Sequence, residues 1–364
     1  MKILEVSKDD LKHNIEIIKE QFNDNVKLIA VVKANGIGLG LIEYSKFLVE
    51  NGIEYLAVAT VEEALKLRNE IKEIEIIMLT PTIIEKELQL LIENDITITI
   101  GSAEGLISAE KVSNELKKDS IKAHLKIDTG FARYGFMYFN KEQILDAFLI
   151  AKKVKILGTY THFSNPKDEK WTNIQFERFI EIINFLKENK CNPGIVHCAS
   201  STAALRYSKM ALDAVRIGSA LQGRTLNPNT KLIKIGKFKT FVAEIKILPK
   251  GYNISYGNTY KTSKETKIAV IPVGYIDGLN KAKLRDDYSL KNNIISVLME
   301  IKKIFKDNSI KVKIKGNTYK IIGRLGMYHC IADVTNSDSI DIGDEVLIDI
   351  PPLQVHDEIR REYI

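Results

Sequence analysis

The chain has 364 residues, 45% of them hydrophobic, enough for a large core divided between two domains. Its 53 Lys and Arg against 47 Asp and Glu give a net charge of +6, spread without any basic block interleaved with aromatics, which argues against nucleic-acid binding. Three cysteines without metal-site spacing, an N-terminus lacking the apolar core of a signal peptide and no run of membrane-spanning length point to a reducing cytoplasm and no resident metal.

From residue 27 to about 221, short β-rich runs alternate with helical patterns. Strands are predicted at 27–33, 55–60, 75–80, 96–101, 121–128, 155–163, 194–200 and 214–221. Amphipathic stretches such as 61–72 and 171–188 fall between them. Thr60 with Glu63, and Thr82 with Glu85, read as capping boxes. Parallel strands need crossover connections, so eight of them separated by helices predict an α/β fold, a (β/α)8 barrel; a doubly wound open sheet is the alternative. Beyond Arg224 the pattern changes. Asn227-Pro228-Asn229 interrupts the chain, and strand-like runs follow at 241–248, 267–273, 310–315, 319–323, 328–335 and 345–350, with Gly316-Asn317 as a turn. Residues 288–307 place Ile294, Leu298, Ile301 and Phe305 at helical spacing, which reads as an inserted helix. The expected organisation is a barrel over residues 1–226 and a smaller, mostly β domain over 227–364.

Chemistry-bearing residues gather at the ends of these strands. The first run closes on Lys33, followed at once by glycine at alternate positions, Gly36, Gly38 and Gly40. In the fifth, alternation sets His124, Lys126 and Asp128 on one face and Ala123, Leu125 and Ile127 on the other. Three ionisable groups directed into a barrel need partners, either an internal ion-pair network or a site. Later strands end in Thr161-His162-Phe163, in His197-Cys198-Ala199-Ser200-Ser201-Thr202, and in Val215-Arg216-Ile217-Gly218-Ser219. Each histidine or serine alone reads as a core hydrogen bond or a cap. Together, lysine, arginine, histidine and paired serines suit an anionic, phosphorylated ligand beside an amine nucleophile.

These motifs, in this order, resemble the alanine racemase family, whose members bind pyridoxal phosphate in a barrel followed by a β domain. The resemblance covers nearly the whole chain. It implies that Lys33, in Val31-Val32-Lys33-Ala34-Asn35, holds the cofactor covalently. Lys126, in Lys126-Ile127-Asp128-Thr129-Gly130, matches a frequently carbamylated lysine that orients the next arginine, Arg133, toward the substrate carboxylate. By the same resemblance His162 contacts the cofactor ring, Ser201 and the backbone at Gly218 and Ser219 meet the phosphate, and Arg216 faces the pyridine nitrogen. Ser255-Tyr256-Gly257 matches the motif of the catalytic tyrosine. Tyr275, in the run 271–278, and Met327, in Gly323-Arg324-Leu325-Gly326-Met327, match substrate-side positions. The implied reaction is racemisation of a small amino acid, most simply alanine, by Lys33 and Tyr256 acting as bases on opposite faces. The implied assembly is a homodimer with shared active sites.

Several positions depart from the family pattern. Ile37 stands where the family carries a phosphate-binding tyrosine, Leu39 where it carries a histidine, and Tyr328 where an aspartate follows the methionine. The arginine that follows the Asp-Gly pair in the family is missing, with Asn280-Lys281 nearby, and the tail from Val355 to Ile364 is altered. These changes leave the Lys/Tyr pair in place but open the substrate to alternatives such as serine. A decarboxylase of the same barrel type would carry a cysteine-centred motif in the second domain, which is absent. A non-catalytic pyridoxal-phosphate carrier would lack the β domain and Tyr256.

Overall fold

A computed structural model of the protein describes residues 1–225, 230–281, 290–304, 309–337 and 339–364. The chain forms two compact units, residues 8–235 and residues 1–7 with 236–364. The division therefore lies at Ile235/Gly236 and not at 226/227; the Asn227-Pro228-Asn229 break is outside the described residues. Hydrogen bonds explain the shift. Asn14 donates to Leu221 O and Ile233 O and accepts the Ile233 amide, while the Ile235 amide donates to Gln222 O, so residues 230–235 stay with the barrel. The first strand, β1 (Ile3–Val6), leaves it by pairing with strands of the second unit.

The barrel unit begins at β2 (Lys27–Val31) and continues through β3 (Tyr55–Val58), β4 (Glu75–Met78), β5 (Ile98–Ile100) and β6 (Ile121–Asp128). A two-residue strand, β7 (Phe136–Met137), pairs only with β6. The series ends with β8 (Val154–Tyr160), β9 (Ile195–Ser200) and β10 (Ala214–Ile217). All eight main strands run parallel, in the order β4-β3-β2-β10-β9-β8-β6-β5. A parallel bridge between Ile77 and Thr97 links β4 to β5 and closes the ring. The predicted (β/α)8 barrel is present, and the open-sheet alternative is excluded.

The barrel interior is chemically divided. Ile29, Ala57, Ile77 and Ala214 form an apolar cluster against Val31, Tyr55, Leu79 and Ile195. His124, Lys126, Thr99, His197 and Arg216 are buried as well, and must find hydrogen bonds inside the ring. Outside, the helix Glu169–Glu188 buries Phe179, Ile182, Ile183 and Leu186 at the expected three- and four-residue spacing. Thr60 caps the helix Val61–Glu70 through the Glu63 amide. The second box does not form. The helix starts at Glu85 without a side-chain cap, and Thr82 Oγ1 donates to Glu87 instead. Ser102 and Asp168 supply caps that the sequence reading missed.

The second unit is a nine-stranded sheet with three parts. Its first edge is β20 (Arg360–Tyr363), beside β1 and then β11 (Lys237–Phe241). The centre holds β19 (Glu345–Ile348), β16 (Lys311–Ile314), β17 (Asn317–Ile321) and β18 (Cys330–Asp333), and the other edge β15 (Thr266–Ile271) and β12 (Glu244–Leu248). The predicted strand 241–248 is in fact the two strands β11 and β12, which pair in different parts of the sheet. The turn is Lys315-Gly316, both at positive φ, and Asn317 already belongs to β17. A small hairpin, β13 (Asn253–Ile254) with β14 (Tyr260–Lys261), carries the residues around Tyr256. The inserted helix spans Leu290–Ile304 with Ile294, Leu298 and Ile301 exposed, while Phe305 lies outside the described residues. No helix among the described residues is long and apolar enough to cross a membrane.

Candidate active site

At the carboxyl ends of the barrel strands lies a cavity of about 340 Å³. Lys33, Lys126, Arg133, His162, Ser201, Arg216, Gly218 and Ser219 all line it, whereas His124, Asp128 and His197 do not. A larger hollow of about 500 Å³ lies at the opposite, amino-terminal ends of β2 and β3. Barrel chemistry belongs at the carboxyl ends, and that hollow holds no comparable set of groups.

Arg216 forms the floor and is only 3% exposed. Its Nη1 donates to His197 Nδ1 at 2.6 Å and to His197 O at 3.2 Å. Its Nη2 donates to Thr161 O at 2.7 Å, Cys198 O at 3.1 Å and His162 Nδ1 at 3.2 Å. None of these partners carries a negative charge, and none uses Nε. One donor of a buried cation is thus left for a ligand. The cation in turn keeps its neighbours neutral: burial and then the Arg216 charge push His124 down to about 4, His162 to about 3 and His197 well below its ordinary value.

Lys126 is 6% exposed, with its Nζ 5.4 Å from the ring centres of both Tyr134 and Tyr160. Burial, then Arg133 and Arg216, push it down to about 8. Asp128 does not share that interior role. Its carboxylate accepts the amides of Gly130, Phe131 and Arg133, organising the loop that carries Arg133, whose guanidinium stands 4.2 Å over Phe131. Tyr160, which stacks on His197 at 4.9 Å, was missed in the sequence, as was the partnership of His197 with Arg216.

The strand ends at Val31, two residues before the predicted Lys33. Lys33 opens a left-handed turn in which Ala34, Asn35, Gly36 and Ile37 all have φ between 51° and 65°. Such a conformation costs non-glycine residues about 1–2 kcal/mol each. Distant side chains hold it: Glu63 accepts the Asn35 and Ala59 amides, Asn35 Oδ1 accepts the Leu41 amide, and Gln222 donates to Gly36 O and Ile37 O. The turn also seats Ile37 against Gly218, where a Cβ would come within 2.8 Å of Ile37 Cδ1. On this side Ser201 Oγ accepts the Gly218 and Ala220 amides at 3.0 and 3.3 Å. The Gly218 amide is thus engaged by Ser201 Oγ, whose hydroxyl is left as a donor.

In the second unit the remaining motifs converge. Ser255 hydrogen-bonds Arg324 O, and a Cβ on Gly323 would strike Ile254 O, so the loop before Tyr256 is clasped by the 323–327 motif. The Tyr275 amide donates to Gly326 O and the Ile276 amide to Met327 O. Tyr256, Tyr275 and Met327 are all exposed; Tyr256 is the most so, at 63%. Lys2 pairs with Asp277 at 2.8 Å and stands 5.4 Å over the Tyr328 ring.

The N-terminal domain model of alanine racemase matches residues 6–225, and its C-terminal domain model residues 235–357. The chain belongs to the alanine racemase family. It is 33% identical over 352 residues to alanine racemase 2 of Caldanaerobacter subterraneus subsp. tengcongensis, spanning 95% of this chain and 84% of that protein. It shares its fold with an alanine racemase from Clostridium difficile 630, with a TM-score of 0.88, 24% identity, and coverage of 100% and 95%. It shares it also with a Bartonella henselae alanine racemase solved with covalently bound pyridoxal phosphate, with a TM-score of 0.83, 21% identity, and coverage of 100% and 99%. The cavity described above fits that cofactor by its donor set: an amine at the rim, a buried cation with one spare donor, and hydroxyls at Ser200, Ser201, Thr202 and Ser219.

Proposed function

We propose that the protein interconverts L- and D-alanine with pyridoxal phosphate held by Lys33. The observation that carries the reading is the uncompensated Arg216 guanidinium, with its spare Nε–H, beneath a cavity that Lys33 lines. Pyridoxal phosphate supplies the electron sink that acidifies the Cα–H of an amino acid. Arg216 would hold the ring nitrogen through Nε–H and, because a guanidinium does not lose its proton, would keep it unprotonated. Arg133 receives the substrate carboxylate. Lys33 Nζ takes or returns the proton on one face, and the Tyr256 hydroxyl does so on the other. Lys126, held partly as a neutral amine, is the candidate to take up CO2 as a carbamate, releasing one proton. His162, Ser201 and Ser219 hold the ring and phosphate, and Tyr275 and Met327 border the substrate.

In the same reading the active unit is a homodimer in which each cavity is completed by Tyr256 of the second protomer. One experiment tests both parts. In D2O with L-alanine, wild type should incorporate deuterium at Cα and lose optical activity together. Lys33→Ala and Tyr256→Phe chains, each inactive alone, should recover up to about a quarter to a half of wild-type activity when mixed into heterodimers. Deuterium exchange with another amino acid and none with alanine would reassign the substrate; heterodimers without recovery would place both bases in one chain.

The phosphate end is weaker by one phenol. A hydrogen bond to a charged group contributes about 1.5–3 kcal/mol, so Ile37→Tyr should tighten cofactor binding by roughly ten- to a hundredfold in equilibrium dialysis. Unchanged retention would mean that Ser201, Thr202 and Ser219 already saturate the phosphate.

A further inference from the structure

Behind Arg216, away from the cavity, the hydrogen bonds continue. His197 Nε2 lies 2.9 Å from His124 Nδ1, and the paired ring centroids are 5.1 Å apart. Both imidazoles are buried, at 0% and 2% exposure, and His124 is not among the residues lining the cavity. Space for its ring is provided by Gly158, its register partner on β8, where a Cβ would come within 2.8 Å of the His124 ring atoms.

The proton positions follow from the donor inventory. A guanidinium has no acceptor, so the 2.6 Å contact from Arg216 Nη1 requires a lone pair on His197 Nδ1. The His197 proton is then on Nε2, and that N–H donates to His124 Nδ1. His124 in turn carries its proton on Nε2. Were His197 to adopt the other tautomer, its Nδ1–H would meet the Arg216 N–H head-on, and the guanidinium would have to turn. A polar N–H sealed in the barrel cannot exchange its partner for water, so removing the acceptor on His124 favours that change.

We propose that His124 is a positioning residue: it fixes His197 in the Nε2–H tautomer, and through it aims the Arg216 guanidinium so that Nε–H faces the cavity. The consequence for the reaction rests on the proposed pyridoxal-phosphate function; the tautomer itself does not. A misaimed Arg216 would loosen the contact on the ring nitrogen and so favour transamination, in which the cofactor would keep the amino group as the keto acid is released, over return of the proton to Cα.

The test compares His124→Asn, whose Oδ1 lies close to where Nδ1 sits, with His124→Phe, which keeps bulk and loses the acceptor. In protein free of cofactor, 15N-histidine NMR should assign the His197 proton to Nε2 in wild type and in the Asn variant, and to Nδ1 or a mixture in the Phe variant. In loaded enzyme the Phe variant should lose about tenfold in kcat with KM little changed, and release more pyruvate per racemisation turnover. The Asn variant should stay within about threefold of wild type. An Nδ1–H tautomer of His197 in wild type overturns the proposal directly, even if the Phe variant fails to fold. So does equal behaviour of the two variants with unchanged 15N shifts. If no protein, wild type included, binds the cofactor, the functional reading fails while the tautomer measurement still decides the role of His124.

Discussion

Lys33→Ala protein should show no borohydride-reducible chromophore after incubation with pyridoxal phosphate, and its racemase turnover should fall by about 10⁴-fold or more. The cavity holds a second amine, which makes the result informative. Lys126, pushed down to about 8, has a substantial neutral, nucleophilic fraction near neutral pH. It is, however, 6% exposed, with its nitrogen 5.4 Å from the ring centres of both Tyr134 and Tyr160. Lys33 is exposed to the cavity and stands where the braced left-handed turn begins. Access therefore outweighs intrinsic reactivity. Lys126→Ala should keep the chromophore and lose only about ten- to a hundredfold in kcat, through the freed Arg133. A reducible chromophore that survives Lys33→Ala and disappears in Lys126→Ala would transfer the attachment to the buried amine.

The barrel was legible because parallel strands covered on both faces read as apolar runs, and because their last residues carry the chemistry. Eight strands follow from that rule, and the eight residues that the family resemblance marked come together at their carboxyl ends. What it missed depends on contacts distant in sequence. β1 and β20 are four residues each, too short for a periodic signal, and pair across more than 350 positions. Ala34, Asn35 and Ile37 sit in the left-handed region because Glu63 and Gln222 hold them there, and nothing local favours an isoleucine at φ 51°. His197 did leave a trace, as a histidine inside an otherwise apolar strand adjoining that of Arg216, but its partner there could not be named without the register between β9 and β10. Asp128 was assigned to the interior by alternation, and was taken instead by three amides of its own loop, a local demand that strand period does not reveal.

The polar half of the barrel should make the fold sensitive to mild acid. His124, His162 and His197 are neutral in the folded protein, held down first by burial and then by Arg216, at about 4, about 3 and well below 6.5. Unfolded, each titrates near 6.5. Below that pH the unfolded chain binds more protons than the folded one, so stability is fully present above about 6.5 and is lost as pH falls toward 4. Each histidine contributes about 1.4 kcal/mol per pH unit across the window, and three together about 4. Between pH 6.5 and 5 the loss, with titration only half complete at the upper end, is roughly 5 kcal/mol, comparable to the whole stability of many domains. Urea midpoints of the cofactor-free protein should therefore fall steeply between pH 6.5 and 5, while those between pH 7 and 8 stay nearly level. His124→Phe removes one of the three groups and should flatten the acid slope by about a third, whatever its effect at neutral pH. An acid slope unchanged in that variant would mean that His124 is already protonated in the folded barrel, with an anion beside it that compensates the charge of Arg216.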